Sequence, residues 1–222
     1  IEIFIAISLA FGFHEFMHAK VADWLGDKTP AMSGRLTLNP LAHVDMRGMV
    51  LLLLVGFGWG KPVVVNPSNF KRFKSRKLMS LMVSLAGVTG NFLLAFFSSV
   101  IYTLIVCLYG DPEKNIIVYV IAGILQSMVS INLGLMAFNL LPIPPLDGFS
   151  IVDAFIPLKT KYNSVNYRKF IALGPNILLI LIVLGRFSGL DILGDIMGII
   201  EIPATLIISV ANILIYIMTG AL

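Results

Sequence analysis

Charge-free apolar runs set the organisation of this chain. Leu78–Tyr109 and Ile116–Leu141 carry no Asp, Glu, Lys or Arg. Each exceeds the ~20 residues that cross a bilayer core, so each reads as a transmembrane helix. Ile1–Leu25 is long enough for a first span, although it carries Glu2 and a polar cluster of His14, Glu15, His18, Lys20 and Asp23. Phe170–Gly185 is shorter, with a kink predicted at Gly174-Pro175, and Pro203–Met218, with room to start earlier, makes a fifth span. Gly48–Gly58 is too short to cross and reads as a re-entrant segment or a hairpin dipping into the membrane. Lys61–Pro67 reads as a short β-rich stretch closed by proline, able to accept an extended substrate by edge pairing or to pack as a plain surface loop. The pattern predicts an all-α polytopic membrane protein with about five transmembrane helices and a small β-rich or re-entrant segment between the first two.

Composition agrees: 58% of the residues are hydrophobic and 13% charged, too oily for a water-soluble globule. The net charge of +4 comes without a basic repeat or an aromatic-interleaved basic stripe, which argues against a nucleic-acid partner and leaves the bilayer to explain the charge. The connection from Gly26 to Lys77 carries nine Lys and Arg, the one from Gly110 to Asn115 only Lys114, that from Pro142 to Lys169 four, and the last only Arg186. This alternation predicts the first and third connections in the cytoplasm, with the N-terminus outside and the C-terminus inside. The basic run Lys71–Lys77 then anchors against the anionic inner leaflet. Cys107 stands alone in an apolar run and reads as a packing residue. The chain opens at Ile1 without a methionine, which leaves room for residues or a targeting segment ahead of it.

The polar cluster of the first span carries chemistry. His14-Glu15-Phe16-Met17-His18 sets two imidazoles four residues apart, on one helix face, where they can share one ion. Glu15, beside the first ligand, can take a proton from water at that ion without ligating it. Two histidines and a glutamate are costly in lipid and should face an interior cavity.

A catalytic zinc needs a third protein ligand and an open fourth position. Asp147 follows the proline-broken segment Asn139–Pro145, which must turn away from helix at membrane depth; its plainer role is to cap a helix from Phe149 to Ile156. His43 is the remaining histidine and the other candidate ligand, or else a second-shell or surface residue. Depth favours Asp147: His14, Asp147, and Gly87 and Asn91 on the second span all fall in the half of the membrane that the charges assign to the cytoplasm.

With these residues in view, the chain resembles the site-2 protease family of intramembrane zinc metalloproteases, from Ile1 to about Pro157. Three motifs carry the resemblance: His14-Glu15-x-x-His18, Gly87-x-x-x-Asn91 and Asn139-x-x-Pro-x-Pro-x-x-Asp147-Gly148. It implies a three-helix catalytic core within 1–157, on spans at about 1–25, 78–109 and 116–141, followed by C-terminal transmembrane helices in 158–222. It also implies one Zn2+ on His14, His18 and Asp147, with Glu15 as catalytic base and Asn91 and Asn139 orienting the substrate carbonyl or oxyanion. The implied substrate is a membrane-anchored protein already trimmed by another protease, and the implied setting a prokaryotic plasma membrane. No stretch is long and polar enough for an inserted PDZ domain or a CBS pair, so the chain looks like the compact form. The second motif lacks the proline that often follows its first glycine, which leaves small-residue helix packing as the other reading of Gly87.

Two other functions compete with proteolysis. A metal-binding scaffold or transporter could use the same ligands, but it would have no need of Glu15. A prenyl-processing type of membrane protease would draw its third ligand from a glutamate-bearing helix, and Glu113 and Glu201 read as residues of outer-side connections.

Overall fold

The computed structural model describes residues 2–46, 48, 50, 58, 60–110, 112–188 and 191–220. The principal helices are α1 (Glu2–Leu25), α2 (Arg76–Tyr109), α3 (Ile116–Leu140), α4 (Asp147–Phe155), α5 (Val165–Ser188) and α6 (Ile192–Thr219). Short polar side chains start several of them. Ser75 accepts from the Leu78 amide at the head of α2, Asn115 from the Ile117 and Val118 amides at α3, and Asp191 from the Gly194 amide at α6. Pro142, Pro144 and Pro145 stop α3 by removing donors and forcing extended backbone. Pro175 and Pro203 both lie inside helices, so the last two helices are longer than the apolar runs Phe170–Gly185 and Pro203–Met218 predicted.

Among the described residues four helices are long and apolar enough to cross a membrane: α2, α3, α5 over Val165–Gly185, and α6. α1 is not among them, because its histidines, Glu15, Lys20 and Asp23 lower its hydropathy. The protein is an all-α, multi-pass integral membrane protein. α1, α2 and α3 pack on one another, and α6 lies against α2 and α3. One core cluster joins Val88 and Ala95 of α2 to Leu133 and Met136 of α3 and to Ala204 and Ile208 of α6. A second ties Ala22 and Leu25 of α1 to Phe70, Met79 and Val83.

Among the described residues no strand forms between α1 and α2. The pairing there is an isolated bridge, Val44 to Gly60, followed by a bond from the Lys61 amide to the His43 carbonyl, and Lys61–Asn66 forms no helix or strand. Apart from Gly48, Val50 and Gly58, the expected re-entrant segment lies outside the described residues.

Leu193 of α6 packs with Leu141 just beyond α3, Ala204 and Ile208 join Val88 and Ala95, and Asn212 Nδ2 donates to Ser99 Oγ at 2.9 Å, so α6 runs parallel to α2. The C-terminal end of α6 therefore lies at the same end of the bundle as Glu2, whose carboxylate abuts Gly123 near the start of α3. α5 packs on the turn and helix that carry Asp147. Tyr167 bonds Asp153, Phe170 meets Phe149, Gly174 abuts Pro144, and Leu178 and Ile182 pack with Leu141, Leu146 and Leu193. α5 is thus laid along residues 141–153. Glu201 consequently stands nine residues into α6, about 14 Å along that helix and inside the bundle's length, not in an outer connection.

Candidate metal centre

α1 presents His14 and His18 to α2, where Val83, Gly87 and Asn91 recur every fourth residue and so line one helical stripe. His14 Nδ1 lies 2.7 Å from Asn91 Oδ1 and His18 Nδ1 lies 2.7 Å from the Val83 carbonyl. Both partners only accept, so each Nδ1 carries the hydrogen and each Nε2 is left with a lone pair. Between the two bonds sits Gly87. A Cβ there would stand 2.5 Å from His14 Cε1 and would overlap His18 Nε2 as well. Glycine is required because the backbone of α2 forms the wall against which both rings lie.

The third group arrives from α4. The helix begins at Asp147 directly after the proline turn, and Gly148 allows its first turn to press onto the carbonyls of Leu140 and Leu141 where any Cβ would collide. Asp147 does not cap: the N-cap position is Leu146, with no side-chain bond. Its Oδ2 lies 3.4 Å from His14 Nε2 and 3.1 Å from His18 Nε2, and the two Nε2 atoms are 3.0 Å apart. Asp147 Oδ2 is buried without a hydrogen-bond donor. Three acceptors facing one another repel unless a cation lies between them. Tetrahedral zinc with bonds of ~2.0–2.1 Å holds its ligand atoms ~3.3 Å apart, close to the spacing found here. Among the described residues, His14, His18 and Asp147 form the one group able to hold a metal.

Glu15 is buried and turned a quarter of the way round α1 from His14, toward the extended segment, where its Oε2 accepts from the Val63 amide at 2.8 Å. The loop ahead of that segment folds onto the same helix, with Pro40 against Gly12 and Gly60 against the Phe11 ring.

The remaining sequence candidates fare differently. Asn91 is fully buried and saturated: besides His14 it serves the Ala10 carbonyl at 3.2 Å and Asn132 Oδ1 at 2.7 Å. Both hydrogens of its amide are thus committed inside the bundle. Asn139 Nδ2 donates to the Leu135 carbonyl of its own helix at 2.9 Å, in a half-buried position. His43 is buried, with its Nε2 3.0 Å from the Thr37 carbonyl, and among the described residues it does not join the group formed by His14, His18 and Asp147. Two residues were missed by sequence reasoning. Asn132, which extends the His14–Asn91 chain to the Met128 carbonyl, was signalled by an amide in the middle of a charge-free span. Asp27, a buried carboxylate just beyond α1, gave no signal beyond its turn-forming Gly26.

A family model described as peptidase family M50 matches residues 104–182. A Bacillus subtilis protein with the provisional name zinc metalloprotease YwhC is 39% identical over 153 residues, covering 69% of this chain and 68% of that one. Proteins provisionally named zinc metalloprotease Rip2, from Mycolicibacterium smegmatis and Mycobacterium tuberculosis, are 30% and 31% identical over 155 and 152 residues. The chain spans about half the length of these mycobacterial relatives, 54% of each. No solved structure matches. The cofactor that these relatives' names and the donor set have in common is Zn2+.

Proposed function

We propose that this chain, which belongs to peptidase family M50, the site-2 protease family, hydrolyses peptide bonds within or near the transmembrane segment of membrane-anchored proteins. The observation that carries this reading is the convergence of two imidazoles and a carboxylate beside a buried Glu15, inside a bundle of apolar helices. His14, His18 and Asp147 would hold Zn2+, and the Nδ1 bonds of the two histidines to Asn91 and Val83 keep the rings turned toward that position. Bound there, Zn2+ would supply a Lewis acid that lowers the pKa of water toward ~7. Glu15, aimed by the Val63 amide, takes a proton from the attacking water and returns it to the departing amine nitrogen. Asn139, near the turn that delivers Asp147, orients the substrate carbonyl. The unpaired Val64 edge of the extended segment receives the substrate, which must unwind locally because helical carbonyls are sealed in hydrogen bonds.

The bundle end that carries Leu25, Arg76 and Leu140 faces the cytoplasm of a prokaryotic cell, since the connection from Gly26 to Lys77 holds nine of the sixteen Lys and Arg. The site then lies in the cytoplasmic half of the bilayer. Its substrates are proteins already trimmed by another protease, the order expected of regulated intramembrane proteolysis.

The test is Glu15→Gln. It should keep about one zinc per chain and abolish cleavage of a membrane-anchored substrate, because an amide cannot accept the proton. Cleavage at the wild-type rate would refute the base assignment. Absence of cleavage by a zinc-loaded wild type across a panel of membrane-anchored substrates would favour a metal-holding scaffold.

A further inference from the structure

Asp27 is fully buried just beyond the end of α1, and it faces neutral donors. Its Oδ1 accepts from the Thr29 amide at 3.1 Å, the Thr29 hydroxyl at 2.6 Å and Asn69 Nδ2 at 2.8 Å, and its Oδ2 from the Asn66 amide at 2.6 Å. The neighbouring cation, Lys28, bonds Asp23 instead. Burial pushes the Asp27 carboxyl up, but the bonds from Thr29, Asn69 and Asn66 outweigh it and hold the group below the usual carboxylate range.

One of these donors, the Asn66 amide, ends the segment that crosses Glu15, and another, Asn69, lies three residues beyond it. Along Lys61–Asn66 the Lys61 amide bonds the His43 carbonyl at 2.7 Å, the Val63 amide bonds Glu15 and the Asn66 amide bonds Asp27. The segment is therefore tied at its start, middle and end. The Asp27 amide closes the end of α1 by donating to the Ala22 carbonyl at 2.9 Å, which fixes the carboxylate at the exit of that helix. With both carboxylates engaged, the amides of Val64 and Val65 meet no partner among the described residues, and the Val64 side chain is exposed.

We propose that Asp27 is the positioning residue that sets the reach of Lys61–Asn66 along α1, and so places the Val63 amide on Glu15 and the free Val64 edge beside the metal ligands. This rests on the proteolytic reading for its consequence, while the tether itself is independent of it. A carboxylate suits the task because it alone among side chains of this size accepts four bonds without presenting a donor; the amide of Asn would turn an N–H toward the donors it must hold.

The experiment compares the full zinc-loaded chain with Asp27→Asn, and with Asp153→Asn as a remote control, in detergent and in lipid nanodiscs. Asp153 also ties two segments together, through Lys161 and Tyr167, far from this one. Asp27→Asn should retain zinc, speed amide exchange across 61–66 at least tenfold, and lower kcat/KM at least tenfold, most of it through KM. Asp153→Asn should do neither. Unchanged exchange at 61–66, an unchanged KM or loss of zinc in Asp27→Asn would each overturn the proposal. Asn69→Ala removes one donor only and should act in the same direction more weakly, so it decides the matter if Asp27→Asn fails to fold; unchanged exchange there is again a refutation. If the wild type cleaves nothing while exchange responds as stated, the tether stands and the proteolytic reading fails.

Discussion

Replacing Gly87 by Ala is the smallest change that should disable the metal centre. The added Cβ stands 2.5 Å from His14 Cε1 and 2.7 Å from His14 Nε2, against an ordinary contact of 3.4–4 Å, so the ring must retreat by about 1 Å. It has nowhere to go without loss. His14 and His18 are held by 2.7 Å bonds to Asn91 and Val83, one helical turn to either side on the same stripe of α2. A shift of about 1 Å lengthens both bonds beyond hydrogen-bond range and moves each Nε2 several times the ~0.2 Å tolerance of a metal–ligand bond. If α2 moves instead, it carries Val83 and Asn91 with it and the rings lose the same partners. Overpacking of this kind costs ~1–3 kcal/mol of stability, and disturbance of the groups that orient ligands costs ~10–100-fold in metal affinity. Chelator competition on purified protein measures the second quantity directly, and thermal melts with and without zinc measure the first. Gly134→Ala and Gly198→Ala are the controls, since a Cβ at either position meets nothing within 4 Å and should stabilise its helix by ~0.5–1 kcal/mol. Zinc affinity within twofold of wild type in Gly87→Ala would refute the reasoning.

Asp147→Asn and Asp147→Ser should fold and insert, yet lose zinc affinity by one to several orders of magnitude, because Asn lacks the charge and Ser the reach; normal zinc content in both would return Asp147 to a structural role. Glu201→Leu should raise stability in bilayer or bicelle by ~2–3 kcal/mol, since the carboxylate stands inside an apolar helix with no hydrogen-bond or ion-pair partner among the described residues. A fall in stability would mean that Glu201 has a partner in the folded chain.

What could be read from the sequence was what rests on local spacing. Histidines four apart share a helix face whatever surrounds them, and the apolar runs placed α2 and α3 within two residues of their observed ends. Asp147 was readable because prolines forbid a helix just before it, and the unbroken turn then delivers a carboxylate. Relations between distant segments were not readable. Hydropathy measures how oily a helix is and not what it packs against, so it gives no sign that α5 lies along residues 141–153. Nor does spacing reveal the partners of Asn91, since Ala10, His14 and Asn132 lie 41 to 81 residues away. Asp27 went unseen for the same reason, since its donors at Asn66 and Asn69 come from the far end of the loop.

The polar groups of the bundle single out one place for an ion. In hydrocarbon an unsatisfied polar group costs several kcal/mol, so a folded membrane chain pairs them or fills the gap with water. Here the pairing runs through the membrane: His14 to Asn91, Asn91 to Asn132, Asn132 to the Met128 carbonyl. Among the described residues three buried side-chain atoms are left without a hydrogen-bond partner: His43 Nδ1, Asn212 Oδ1 and Asp147 Oδ2. Asn212 lines a cavity of about 420 Å³ with Ser99, Tyr102, Thr103 and Gln126, roomy and polar enough for water. Asp147 Oδ2 has no such relief, because the atoms facing it are two ring nitrogens whose hydrogens are committed on their other sides to Asn91 and Val83. Water could donate to at most two of these three acceptors and would leave the third lone pair opposed. A divalent cation satisfies all three at once, and the same bonds that orient the rings are what make any lesser occupant unfavourable.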